Sequence, residues 1–334
     1  MFNKLRFSLT LLASVLLACS ALAESGATRI AKWRDDRTAA FLLMFDDSWP
    51  SHFQVAAPEL VKRNMVATFY INPGKGEYLK FAKEWEETLW KQGMVYGNHT
   101  MTHKGANDVD EARREINECT KVILKTVPGR TPRLISWGMP GVKTWNVTKE
   151  QLAEILAAEN LVDRPPFHLH GAVYHLQTAE QMLAFADKAI REKGMEYIIF
   201  HGVERIEPKW SYQDFWALKQ AIFLPLLDAL KQRQDRGELW ITDHISCHKY
   251  EQERDAGTVT VLESTAEKIV VELSAKTDPR LYDLPLTLVT EVPAGWKTVR
   301  VTQGGTSITA GVTGGRVKYP AMPNGGAVTI GPER

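Results

Sequence analysis

The chain has 334 residues, of which 44% are hydrophobic and 24% charged, so we expect a sizeable packed core and room for one large and one small domain. Its 41 basic and 40 acidic residues leave a formal net charge of +1 and form no basic block, which gives no indication of a nucleic-acid partner. The 10 tryptophans are many for this length, and indole rings serve both as core residues and as flat platforms for sugars.

The first 23 residues are predicted to be an export signal. Lys4 and Arg6 form a positive segment, residues 9–18 an apolar one, and residues 21–23 a small-x-small cleavage site. The apolar stretch is too short for a spanning helix, and no other segment is apolar enough to be one. We therefore expect a mature chain beginning at Glu24 in the periplasm or outside the cell.

A second interpretation of the leader concerns Cys19, because residues 16–19 resemble a bacterial lipoprotein box. Lipidation there would anchor the protein to the outer membrane, although the cleavage site at residues 21–23 is the stronger signal. Cleavage at that site leaves Cys119 and Cys247. An exported protein could join these two in a disulfide, but the favoured interpretation is a pair of buried free thiols.

From about residue 38 to about residue 250, short apolar runs alternate with amphipathic stretches. The predicted strands are residues 40–45, 66–71, 95–97, 134–137, 197–200 and 238–242. The predicted helices are residues 56–63, 78–92, 109–126, 149–158, 179–193 and 215–234. Repeated strand–helix units predict parallel strands in a barrel or an open doubly wound sheet, with functional residues at the C-terminal strand ends.

The pattern changes near residue 257, where short β-branched segments are separated by glycine-rich turns. The predicted strands are residues 258–263, 268–274, 286–292, 298–302 and 327–330. Residues 257–334 are therefore predicted to form a small all-β, sandwich-like domain. The segment contains no histidine and no clustered carboxylates.

Asp46 and Asp47 directly follow the apolar run at residues 41–45. Adjacent aspartates commonly belong to a solvated turn, but here the run places them at the end of a buried strand. Neighbouring side chains diverge. One carboxylate can therefore bind a metal ion while the other takes a proton from bound water.

His99 and His103 follow a short predicted strand and lie four residues apart, so both could meet on one side of a helical turn. A core histidine is the common alternative for either one. Two imidazoles and one carboxylate form a ligand set that suits zinc, with cobalt or another divalent ion as alternatives. Three protein ligands leave a coordination position for water.

His201 follows the apolar segment 197–200 and is predicted to lie at the same edge of the sheet. It could simply end a strand. With a metal site beside it, a histidine could also act as the acid that protonates a leaving group.

The order of these motifs resembles the polysaccharide deacetylases of carbohydrate esterase family 4, over about residues 38–250. The shared features are Phe-Asp-Asp, His-x-x-x-His, a glycine–proline segment, an apolar strand followed by His, and the Ala-Thr-Phe sequence at residues 67–69. The resemblance implies a distorted (β/α) barrel of about seven strands, which we place at residues 24–256.

The resemblance also implies a role for each motif residue. Asp46 would be the catalytic base and His201 the general acid, and the metal ligands would be Asp47, His99 and His103.

The substrate side departs from the family pattern. The third motif lacks its usual arginine, and Pro140 is followed by Gly141 instead of an aromatic residue, although the Gly141 amide could polarise a carbonyl oxygen. The fourth motif is indistinct, and Asp163 and Arg164 are the nearest candidates to orient the general acid. Three tryptophans are candidates to line a sugar groove, although any one of them is more often a core residue: Trp137, Trp145 and Trp210.

The sequence therefore predicts an exported metal-dependent hydrolase that removes N- or O-linked acetyl groups from a carbohydrate or polysaccharide. A second interpretation keeps the site but assigns it to a small linear or cyclic amide. A third, suggested by the altered third motif, is a non-catalytic carbohydrate-binding protein on a degenerate barrel.

Overall fold

The structure is a computed structural model that describes residues 25–166, 176–207 and 212–333. Its first strand, β1 (Thr28–Ile30), pairs with the C-terminal antiparallel sheet. Within the described residues, the next seven strands are parallel and form a second sheet. They are β2 (Ala39–Asp46), β3 (Thr68–Ile71), β4 (Val95–Asn98), β5 (Ile135–Trp137), β6 (Leu161–Asp163), β7 (Met195–Phe200) and β8 (Leu239–Thr242). The predicted parallel sheet is confirmed, and only the three-residue strand β6 was missed.

Strand β2 is the centre of the parallel sheet. One of its edges pairs with β7, while the other pairs with β8 along Ala39–Leu42 and with β3 along Met44–Asp46. The sheet then continues through β4 and β5 to β6, so it forms a distorted half-barrel. At its open side the Tyr197 hydroxyl of β7 donates a hydrogen bond to the carbonyl of Pro166, 2.6 Å away and just beyond β6.

Three of the longer helices, α4 (Val109–Thr126), α5 (Lys149–Ala158) and α6 (Ala179–Glu192), begin at side chains that accept hydrogen bonds from the first turn. Asp108 caps α4, and Thr148 and Thr178 form capping boxes with the glutamines three residues further on, at the starts of α5 and α6. The helices of the described residues are α1 (Ala57–Lys62), α2 (Gly76–Lys80), α3 (Ala82–Glu84), α4 (Val109–Thr126), α5 (Lys149–Ala158), α6 (Ala179–Glu192), α7 (Gln220–Asp235) and α8 (His244–Asp255).

The single helix predicted for residues 78–92 is wrong. The backbone leaves the helical region at Phe81, and a π-helical turn (Trp85–Leu89) follows α3. The break has a packing reason: the buried rings of Tyr78 and Trp85 stack with centroids 5.6 Å apart. Residues seven apart in a regular α-helix are separated by about 10.5 Å along its axis, so that stack requires an interrupted helix.

Helix α8 was not predicted from the sequence. It is capped by Asp243, whose carboxylate accepts a hydrogen bond from the Ser246 amide. Its buried face includes His244, Cys247 and Glu253 among the apolar residues, so the sequence has no clear apolar periodicity.

The buried Glu253 is expected to make stability depend on pH. Burial raises its pKa from an ordinary 4.5 to about 7, although the Leu284 amide donates a hydrogen bond to it. Between these two values the folded protein binds more protons than the unfolded chain. The contribution of Glu253 to stability is therefore fully present below pH 4.5 and is lost, by about 2–3 kcal/mol, as pH rises through 7. Chemical denaturation of the wild type and of Glu253→Gln across this range measures the effect, and the wild type is expected to lose this stability relative to the variant as pH rises. An unchanged profile in that variant would contradict the assignment.

The predicted all-β segment is confirmed as an antiparallel sheet, with two strands more than expected. The strands of this segment are β9 (Gly257–Ser264), β10 (Ile269–Ala275), β11 (Leu286–Glu291), β12 (Thr298–Gln303), β13 (Thr306–Thr313), β14 (Arg316–Ala321) and β15 (Val328–Pro332). The turns at Gly304-Gly305 and Gly314-Gly315 have positive φ values at both positions, as tight hairpins require. Together with β1, these strands are arranged in the order β1-β11-β14-β13-β12-β15-β10-β9.

Both faces of β2 are buried. Phe41, Leu43 and Phe45 pack in a cluster that includes residues of α4, α6 and α7. The alternate residues Ala40 and Leu42 belong to a second cluster, which contains Tyr250 of α8 and the inward side chains of the antiparallel sheet. The helices therefore cover one face of the parallel sheet, and α8 with the antiparallel sheet covers the other.

Two further sequence expectations bear on the described residues. No helix among them is both long and apolar enough to cross a membrane. Cys119 and Cys247 are buried free thiols. The predicted signal segment, with Cys19, lies outside the described residues.

Candidate active site and metal centre

The two adjacent carboxylates leave the end of β2 through a strained turn. Asp46 is the last residue of the strand, and Asp47 and Ser48 follow with φ values of 81° and 55°. Such left-handed conformations are uncommon outside glycine. Hydrogen bonds hold the turn: the Asp47 amide donates to the carbonyl of Tyr70 (3.2 Å), and Ser48 Oγ accepts from the amide of Asn72 (2.8 Å). The turn separates the carboxylates, which have different partners.

His99 and His103 lie on a loop beyond β4, so the predicted helical turn is wrong. Asn98 Oδ1 accepts a hydrogen bond from the Thr100 amide (2.8 Å), and Thr100 and His103 adopt φ values of 67° and 58°. These left-handed positions bend the loop so that the two imidazole centroids lie 5.0 Å apart. The predicted convergence of the histidines is therefore achieved by a different backbone path.

Both imidazoles face the carboxylate of Asp47. Its Oδ1 atom lies 3.1 Å from Nε2 of His103 and 3.5 Å from Nε2 of His99. One ligand atom from each of the three residues lies within 4.8 Å of the other two. In a tetrahedral zinc site, metal–ligand bonds of about 2.0–2.1 Å separate neighbouring ligand atoms by roughly 3.3 Å. The observed separations therefore fit three protein ligands around one ion.

The protonation states also fit a cation. His99 Nδ1 lies 2.7 Å from the Gly138 carbonyl, which fixes Nδ1 as the protonated nitrogen and leaves the Nε2 lone pair facing Asp47. Burial lowers the pKa of His99 to about 4, so the ring is neutral near pH 7. Burial raises the pKa of Asp47, but His103, His99 and Lys75 together depress it far below its ordinary value. The buried Oδ1 of Asp47 has no hydrogen bond of acceptable geometry, so it remains available to an ion.

Asp46 has a different partner, Arg164, which follows β6. The guanidinium forms a two-pronged ion pair with the carboxylate, with N–O distances of 2.5 and 2.7 Å, and both side chains are buried. Burial raises the pKa of Asp46, but the charge of Arg164, followed by that of His99, lowers it more. Asp46 is therefore an ionised, oriented carboxylate next to the three-ligand cluster, with His99 Nε2 3.8 Å from its Oδ2.

Arg164 is held in a narrow slot. Its guanidinium carbon lies 4.2 Å from the ring centroid of Tyr70, and a Cβ atom on Gly138 would lie only 2.8 Å from its Nε. The sequence suggested Arg164 as a residue that orients His201. In the structure its guanidinium forms a bidentate ion pair with Asp46 instead. It supplies an arginine to the cavity from β6, whereas the predicted third motif at residues 136–141 has none.

His201 lies directly after β7, at the same edge of the sheet. Its Nε2 is 3.9 Å from Oδ2 of Asp47, and its carbonyl oxygen is 2.7 Å from Nε2 of the buried His52. Burial lowers the pKa of His201, although the two aspartates oppose this. The imidazole is thus placed to exchange a proton with a group bound in the same cavity.

These side chains open into one cavity of about 560 Å³. Pro140, Gly141 and Asp163 also line it. Apolar residues that the sequence did not single out make up much of the remaining wall, namely Met139, Pro165, Pro166, Phe215 and Trp216.

Of the three predicted groove tryptophans, the two that the structure describes do not line the cavity. Trp137 is fully buried, and Trp145 packs near it with ring centroids 6.4 Å apart. Trp210 lies outside the described residues. The aromatic residues of the cavity, Phe215 and Trp216, were predicted to begin a helix, but α7 begins only at Gln220. The adjacent Phe-Trp sequence was the available signal.

Comparison with known proteins supports the resemblance. Residues 34–158 match the family model named polysaccharide deacetylase. This segment contains Asp46, Asp47, His99 and His103 but ends before His201. A gellan lyase from a Bacillus species is 21% identical over 336 residues, an alignment that covers 93% of this chain but only 13% of that protein.

Several solved structures of carbohydrate esterase family 4 are also similar. A peptidoglycan deacetylase from Bacillus subtilis is 17% identical, with 65% of this chain and 94% of that chain covered and a TM-score of 0.44. A family 4 carbohydrate esterase from Streptomyces lividans, in complex with acetate, is 18% identical, with 60% and 90% covered and a TM-score of 0.41. A pseudoenzyme of the family from Bacillus anthracis is 13% identical, with 62% and 64% covered and a TM-score of 0.41.

Proposed function

We propose that this chain, which resembles the polysaccharide deacetylases through residues 34–158, is an exported metal-dependent hydrolase that removes acetyl groups from a carbohydrate. One observation carries the proposal: the donor atoms of Asp47, His99 and His103 converge in a cavity beside an ionised carboxylate, Asp46. Zinc is the ion that best suits two imidazoles and one carboxylate.

The residues divide the work of hydrolysis between them. A divalent ion held by the three ligands would polarise the acetyl carbonyl and lower the pKa of a water molecule. Asp46 is ionised and fixed by Arg164, so it can accept the proton of the attacking water. Gly141 lines the cavity, and its amide would donate a hydrogen bond to the developing oxyanion.

His201 donates a proton to the departing nitrogen or oxygen atom. Because burial lowers its pKa, its protonated form is a minor species at neutral pH, and the leaving-group step is favoured on the acidic side. Asp46 and Asp47 oppose this effect, since their negative charges favour the imidazolium. Base and acid are thus separate groups in one cavity.

Export through residues 1–23, to the periplasm or the cell exterior, belongs to the same proposal. An acetylated polysaccharide is a substrate that an exported enzyme would meet there. Lipidation of Cys19 is the alternative fate of the leader, and it would anchor the same enzyme to the outer membrane.

Acetate release is the test of this function. Protein purified without chelator is expected to contain a divalent ion and to release acetate from N-acetylated or O-acetylated hexose oligosaccharides. Chelation is expected to remove the activity and added zinc to restore it, because ion and water activation are lost together.

Simple linear and cyclic amides are included in the same assay. Turnover of these amides alone would favour the amidohydrolase interpretation. Binding of glycan without turnover and without a bound ion would favour a carbohydrate-binding protein. Full acetate release from ion-free protein would rule out the mechanism.

A further inference from the structure

Two adjacent aromatic rings beside His201 have no role in the chemistry described above. Phe215 and Trp216 stack on each other with ring centroids 4.1 Å apart and an interplanar angle of 29°. They remain 46% and 44% exposed, and both line the cavity. Large apolar side chains that are nearly half exposed inside a cavity bring little stability, so their position calls for another explanation.

The backbone under the rings is strained. Trp216 has a φ of 44°, a left-handed conformation that is unfavourable for a bulky side chain. The Gly202 amide donates a hydrogen bond to the Phe215 carbonyl (2.9 Å), and the Leu218 amide donates one to the Gly202 carbonyl (3.0 Å). Gly202 permits this close approach, since a Cβ atom there would lie 2.7 Å from Cβ of Asp214.

A buried ion pair fixes the residue that precedes the rings. Asp214 Oδ1 lies 2.5 Å from Nη2 of Arg205, and both side chains are fully buried. The other oxygen of Asp214 accepts a hydrogen bond from the Ser51 amide (2.8 Å), in the segment that follows the catalytic turn. The loop that carries the rings is therefore attached to two segments of the site: the one that follows the turn at Asp47 and Ser48, and the one that follows His201.

The rings are positioned relative to the proposed general acid. The His201 imidazole meets Phe215 and Trp216 nearly at right angles, at 81° and 88°, with centroids 5.5 and 4.9 Å away. A group that receives a proton from His201 thus lies next to these rings. The leaving group of the reaction is such a group.

We infer that Phe215 and Trp216 form a stacking subsite for the hexose ring that carries the acetyl group. A pyranose ring presents a flat C–H face, and an exposed aromatic pair is a complementary apolar surface. This inference rests on the proposed function for the identity of the leaving group. It adds that the ring, rather than only the acetyl group, is recognised at the active site.

Equilibrium binding tests the subsite without turnover. Chelator-treated protein is titrated calorimetrically with N-acetylated and O-acetylated hexose tetramers. Trp216→Ala is expected to weaken binding about tenfold, and Trp216→Leu, which retains apolar bulk but not the flat face, by a similar factor. Trp216→Tyr is expected to retain most of the affinity. Trp296→Ala, at a partly buried tryptophan in the connection between β11 and β12, is the matched control and should bind like the wild type.

The outcomes separate the two proposals. Weakened binding in Trp216→Leu, together with no acetate release by the wild type, would support the subsite and reject the deacetylase function. Equal affinity in wild type and Trp216→Leu would overturn the subsite, even if the enzyme is active. Failure of the wild type to bind any of the tetramers would overturn it as well.

Discussion

His103→Ala is expected to remove both the bound metal ion and the hydrolytic activity. His103 Nε2 is 3.1 Å from Asp47 Oδ1, and its loss leaves only two protein ligands in the cluster. Metal polarisation supplies several kcal/mol of transition-state stabilisation, so acetate release is expected to fall by roughly 10³-fold or more. Metal content by elemental analysis and acetate release are measured on the same sample.

A matched control is available on α8. His248→Ala also removes a partly buried histidine, whose Nε2 lies 3.4 Å from the Tyr282 hydroxyl, and it is expected to leave metal content and activity unchanged. Wild-type activity in His103→Ala protein that contains no metal would rule out the proposed chemistry. Wild-type metal content in that variant would show that the ion binds elsewhere.

Arg164→Met is expected to destabilise the fold and impair catalysis together. It leaves the buried carboxylate of Asp46 without its two-pronged partner, and breaking a buried ion pair in this way costs about 3–5 kcal/mol. The pKa of Asp46 should rise, since Arg164 is the largest of the charges that lower it, so less of the ionised base is present near neutral pH. Chemical denaturation gives the free energy of unfolding, and kcat gives the loss of base function.

Two further variants serve as comparisons for the stability and activity of Arg164→Met. Arg130→Met breaks the exposed pair with Asp283 and should change stability by less than about 1 kcal/mol. Adding Asp46→Asn to Arg164→Met removes the unpaired charge, so the double variant should regain stability without regaining activity. If Arg164→Met unfolds with the wild-type free energy, the ion pair has no structural role.

Much of the catalytic framework was predictable because it depends on local sequence. Five apolar residues before Asp46 indicated a strand buried on both faces, and the structure buries all eight residues of β2. Since parallel strands expose their C-terminal ends at one edge, the carboxylates and His201 were expected together, and the structure places them within one cavity.

What the sequence did not show depends on tertiary contacts. The loop bends at Thr100 and His103 through left-handed conformations. Neither residue is a glycine, so no residue type in the sequence indicated these bends. Arg164 follows a strand of only three residues, and its partner is 118 positions away. Phe215 and Trp216 had the composition of a helix start, but the anchored Asp214 and the hydrogen bond to Gly202 keep them out of α7.

The antiparallel sheet has a consequence for how the catalytic strand is built. The alternate residues Ala40, Leu42 and Met44 of β2 are fully buried in the same cluster as Leu273 and Leu288 of that sheet. Removing residues 257–333 would expose this face of β2, the strand that ends at Asp46, to solvent. The integrity of the hydrolytic centre therefore depends on a segment that supplies none of its proposed ligands. An alteration deep in this remote sheet can therefore act as a mutation of the active site.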